Sequence, residues 1–82
     1  MSEEQTMMQE ILDILKAIRP DVDFVNEKKL IDDQILDSFD IISIVADFNE
    51  AFDIQIEVED LEPDNFNTVE AMQELIIKLQ DE

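Results

Sequence analysis

The chain has 82 residues, 45% of them hydrophobic, which suits one small domain over residues 1–82 with a thin core. Its 23 acidic and 5 basic residues give a formal charge of −18, a balance that repels nucleic acid and anionic membranes and steers in partners with basic patches. With no cysteine, histidine or tyrosine, and no apolar run near the roughly 20 residues that cross a bilayer, the sequence excludes disulfides, thiol nucleophiles and Ser-His-Asp triads and gives no reason to expect membrane insertion.

The opening Met-Ser-Glu-Glu-Gln-Thr is acidic, unlike a signal peptide, and a cytoplasmic location is expected. A first helix is predicted from about Glu3 to Ile18. Ser2 with Gln5 suggests an N-terminal box, and Met8, Ile11, Leu12, Leu15 and Ile18 form an apolar stripe. Pro20 ends it by pushing the preceding residue out of helical geometry. Residues 21–36 show neither helical nor strand period, yet carry Val22, Phe24, Val25, Leu30, Ile31, Ile35 and Leu36. They read as a loop packed onto the core.

The second helix is predicted from Ser38 to Ala51 or Phe52. Ile41, Ile44, Val45, Phe48 and Phe52 fall on one face, Asp37 sits at the N-cap, and Asp40 stands three residues on. Ser38 is then the first helical residue, beside free N–H groups that favour an anion, and a phosphate could hang there. No residue is available to activate its hydroxyl, so Ser38 reads as a substrate of other enzymes rather than a nucleophile. The plain alternative is an ordinary residue of a first helical turn. Phe39 could plug the top of the core or meet a partner, and Ile42 lies off the buried stripe.

Residues 53–58 alternate like a strand but have no partner strand, so an extended link is expected. Glu59–Leu61 suggests one helical turn before Pro63. Asn67 with Glu70 suggests a capping box for a last helix carrying Val69, Met72, Leu75, Ile76 and Leu79. The fold class is therefore all-α, a bundle of three longer helices plus one short one. The basic residues are Lys16, Arg19, Lys28, Lys29 and Lys78, so Leu30 to Ile77 holds 14 acids and no cation. No calcium loop of the helix–loop–helix kind fits a chain without glycine, and no dedicated metal site is expected.

The Leu36-Asp37-Ser38-Phe39-Asp40 turn, the acidic helix after it, Phe52-Asp53-Ile54-Gln55-Ile56 and Thr68-Val69-Glu70-Ala71 together resemble the acyl carrier proteins over nearly the whole chain. The resemblance implies a non-catalytic, monomeric carrier with a covalent 4′-phosphopantetheine, delivered from coenzyme A and joined to Ser38 by a phosphodiester. Asp37 and Phe39 match the residues flanking the family's serine. Cargo would ride the arm as acyl or aminoacyl thioesters. Implied partners are a phosphopantetheinyl transferase, an acyl- or aminoacyl-loading ligase, and acyltransferase or synthase enzymes with basic docking patches. The family's second helix presents acids and exposed apolar groups to such enzymes, here Asp40, Ile42, Ala46, Asp47 and Glu50 with Phe39.

Three departures stand out. The glycine usual shortly before the serine is absent, Ser43 replaces an acid, and Glu57 replaces a common proline. Residues 61–69 look more like free-standing carriers of specialised pathways, including D-alanyl and aminoacyl carriers. The rival reading is an unmodified acidic binding module, an adaptor or nucleic-acid mimic, which explains the charge but leaves the Asp37-Ser38-Phe39 turn to chance.

Overall fold

The computed structural model describes residues 3–81, with side chains from residue 6 onward. The suggested Ser2–Gln5 box lies outside what is described. Among the described residues there are four α-helices and no strand: α1 (Glu3–Ile18), α2 (Ser38–Phe52), α3 (Pro63–Phe66) and α4 (Val69–Gln80). A 3₁₀ turn at Val58–Asp60 precedes α3. Three longer helices and one short one is the architecture expected from the sequence.

Each long helix exists because one apolar stripe finds a shared core. Ile11 and Leu15 of α1, Ile44, Phe48 and Phe52 of α2, and Val69, Met72, Leu75 and Ile76 of α4 are all buried. Phe48 and Phe52 meet edge to face, ring centroids 5.8 Å apart, an arrangement that favours aromatic pairs by about 0.5–1.5 kcal/mol beyond area burial. The long 21–36 segment packs as expected: Phe24, Leu30 and Leu36 are buried in the same cluster.

Two local details differ from the sequence reading. The cap of α4 is Thr68, whose Oγ1 accepts the Ala71 N–H at 3.0 Å, and not Asn67. Asn67 is buried and otherwise engaged: its Oδ1 accepts the N–H groups of Ile31 and Asp32, both at 3.0 Å, and its Nδ2 donates to Asp32 Oδ2. Its carbonyl also accepts the Leu30 N–H. A buried amide with three of its four hydrogen-bonding positions in use holds the loop to the α3–α4 junction. The second difference is α3 itself. Pro63 opens it at the first helical position, where a missing N–H costs nothing, and Asn65 Nδ2 ties it back to the Asp60 carbonyl.

The absent glycine has a visible consequence. Gln34 adopts φ 58°, the left-handed region, four residues ahead of Ser38. That twist lets the N–H groups of both Ile35 and Leu36 turn back onto the Leu30 carbonyl at 3.0 Å, delivering Asp37 to the start of α2. The geometry that favours glycine is kept with a side chain that resists it.

Candidate functional site

The mouth of α2 is built by two aspartates. Asp37 Oδ1 accepts the Asp40 N–H at 2.9 Å, and Asp40 Oδ2 accepts the Asp37 N–H at 3.2 Å, a reciprocal capping box. Between them Ser38 is exposed, and its hydroxyl makes no hydrogen bond among the described residues. The N–H groups of Ser38 and Phe39 also find no acceptor there. Two unpaired donors at the positive end of a 15-residue helix, next to an unengaged hydroxyl, can hold phosphate oxygens without rearrangement.

An open groove of about 320 Å³ runs beside this hydroxyl, lined by Ile31, Leu36, Asp37, Ser38, Ile41, Ile42 and Leu61. Leu61, from the segment after the 3₁₀ turn, was not singled out by sequence reasoning. Nothing local marks it, since its exposure depends on where the chain folds back.

The implicated residues of α2 divide by what they touch. Phe39 is 80% exposed and Ile42 64%, so Phe39 does not plug the core. Ala46, Asp47 and Glu50 are exposed along the same helix. Asp40 differs: its side chain is 13% exposed and its Oδ2 accepts a 2.6 Å ion-paired hydrogen bond from Arg19 Nη1. Of the acids assigned to a partner face, Asp40 is turned inward and engaged. The same guanidinium donates to the Ile35 carbonyl at 3.1 Å, and its Nε and Nη2 both donate to Asp21 at 3.1 Å. The hydrogen bond to Arg19 is the first cause holding the Asp21 carboxyl below its ordinary range, followed by a bond from its own backbone N–H. Sequence reasoning missed Arg19. The only signal was the chain's single arginine, 21 residues before the carboxylate it reaches.

Among the described residues no cluster of acids is arranged to hold a metal ion, and no helix is long and apolar enough to cross a membrane. The chain's own residues thus offer an acceptor hydroxyl, a donor pair for an anion and an apolar groove. These fit a group attached through a phosphodiester.

Comparison with known proteins agrees. Residues 5–76 match the family described as the phosphopantetheine attachment site. The chain is 33% identical over 63 residues to D-alanyl carrier proteins from several strains of Bacillus cereus and from Bacillus anthracis, covering 73% of this chain and 78% of theirs. No solved structure gives a significant match. An all-helical chain with a serine presented at a helix mouth, matched across most of its length, belongs to the phosphopantetheine attachment-site family of non-catalytic carriers, whose cofactor is covalently bound 4′-phosphopantetheine.

Proposed function

We propose that Ser38 carries the 4′-phosphopantetheine arm within a single domain spanning residues 1–82, and that the exposed side of α2 is where partner enzymes dock. The observation that carries this is the unengaged Ser38 hydroxyl beside two unpaired helix N–H groups. In the attachment, Ser38 Oγ forms a bond to the phosphorus that bears pantetheine. The bond from that phosphorus to the adenosine bisphosphate of coenzyme A breaks, and the hydroxyl proton leaves with a base of the transferase. Ser38 and Phe39 N–H groups receive the resulting phosphodiester anion. The arm supplies a thiol on which cargo rides as a thioester. Asp37, as cap, and Phe39, as exposed neighbour, frame the attachment point.

The docking face comprises Phe39, Ile42 and Ala46 as an apolar strip, with Asp47 and Glu50 alongside, and suits basic patches on a transferase, a loading ligase and an acyltransferase or synthase. Since Asp40 is engaged by Arg19, Asp47 and Glu50 carry the charge that steers those partners. The D-alanyl carrier relatives support an aminoacyl cargo, and the carrier works as a monomer in the cytoplasm. The experiment is intact-mass measurement of the native chain and of Ser38→Ala after incubation with coenzyme A and a phosphopantetheinyl transferase. One phosphopantetheine addition on the native chain and none on Ser38→Ala is expected. Addition that persists in Ser38→Ala moves the site elsewhere, and none on the native chain returns the unmodified acidic adaptor.

A further inference from the structure

We infer that Arg19 is the positioning residue of the modification site: by gripping the Asp40 carboxylate and the Ile35 carbonyl together, it fixes the α2 mouth and offsets the acid next to Ser38. This rests on Ser38 being the attachment point. Arg19 lies in no helix. Its N–H closes onto the Leu15 carbonyl at 2.8 Å, which places it at the very end of α1, directly before Pro20. From there the guanidinium spans the 20–36 loop. Nη1 reaches Ile35, three residues before Ser38, and Asp40, two residues after it. The serine is therefore bracketed by the two contacts of one nitrogen.

Asp40 Oδ2 serves two donors at once, Arg19 and the Asp37 N–H. Without the guanidinium, this little-exposed carboxylate would lose its counter-charge beside a second carboxylate, that of Asp37, where an incoming phosphate must also sit. Turning toward water would relieve it and release the Asp37 N–H, loosening the box that aims the first helical turn. The planar fork is needed as well as the charge. One edge, Nε and Nη2, is held by Asp21, and Nη1 faces the site, whereas a lysine ammonium could meet only one side. Among the described residues no other basic side chain pairs with an acid of α2, since the remaining inter-segment ion pair joins Lys28 to Glu70.

The test uses the full chain with coenzyme A and a phosphopantetheinyl transferase, comparing Arg19→Met, Arg19→Lys and Lys28→Met. Arg19→Met is expected to lower kcat for Ser38 modification about tenfold, the scale of a small misplacement of a reacting group, with KM within about twofold. By NMR, the Asp37 and Asp40 amides should exchange faster in Arg19→Met while those of Met72 and Ile76 keep their protection. Arg19→Lys should recover part of kcat, and Lys28→Met, which removes a loop-to-helix ion pair away from α2, should leave kcat unchanged. Unchanged kcat in Arg19→Met overturns the inference. So does a loss confined to KM, which would mean that the guanidinium touches the transferase, or a uniform rise in exchange, which would mean global destabilisation. If the native chain gains no mass at Ser38, the attachment reading falls and the inference with it.

Discussion

The two ends of α2 are made with the same residue type to opposite electrostatic effect. At the N-terminus Asp37 and Asp40 complement the helix dipole, cap each other's N–H groups and are tied to Arg19. At the C-terminus the last two turns carry Asp47, Glu50 and then Asp53, with no basic residue, where negative charge opposes the dipole. Asp53 closes the helix in a left-handed conformation, its N–H on the Asn49 carbonyl, and Asn49 Oδ1 accepts the Ile56 N–H at 2.9 Å. The first set of acids holds the helix in place. The second set weakens it, and in our reading is there for partners.

Charge reversal should separate the two roles most sharply. Asp47→Lys with Glu50→Lys is expected to lower kcat/KM of Ser38 modification at low salt by about tenfold, through slower association. Asp13→Lys with Glu74→Lys, exposed sites on α1 and α4, changes net charge equally and should do far less. Stopped-flow kinetics over a salt series decides it, and equal losses would mean that total charge rather than α2 steers the encounter. A smaller effect should come from the left-handed residues flanking the helix. Gln34→Gly is expected to raise the unfolding free energy by about 0.5–1 kcal/mol, and Asp53→Gly by less, because aspartate tolerates this region better. Urea melts would show it, and a loss in Gln34→Gly would mean that the turn is not strained. The smallest effect compares isosteric neutralisations. Asp37→Asn keeps the cap acceptor but should lose about 0.5 kcal/mol, while Asp53→Asn should gain about as much. Both differences should shrink with added salt, and the same sign at both ends would refute the dipole argument.

The longer helices were legible because their signals are local. The Asp37–Asp40 spacing and the apolar stripe define α2 without reference to the rest of the chain, and Pro20 bounds α1. The cap of α4 was not, because Asn67 and Thr68 are both good cap residues. What decided between them was a burial contact with Ile31 and Asp32, 36 and 35 residues away. Helix α3 has only four residues, too few to show a period, and Pro63 reads equally as a stop or a start. At the site, Ser38 announced itself through its cap. The inward commitment of Asp40 depended on Arg19, a partner that no local pattern names.

The Asn67 contacts also tie the opening of one stretch of the chain to that of another, distant in sequence. The hydrogen bonds of Asn67 join the Leu30–Asp32 stretch to the entrance of α4, so those loop amides cannot open without breaking contacts made by the opposite side of the fold. The segment leading to Ser38, irregular as it is, thus opens as one cooperative unit with the α3–α4 junction rather than fraying alone. The bonds to Ile31 and Asp32 span 36 and 35 residues, so closing them carries the loop entropy of a non-local contact, which the buried packing around them must offset.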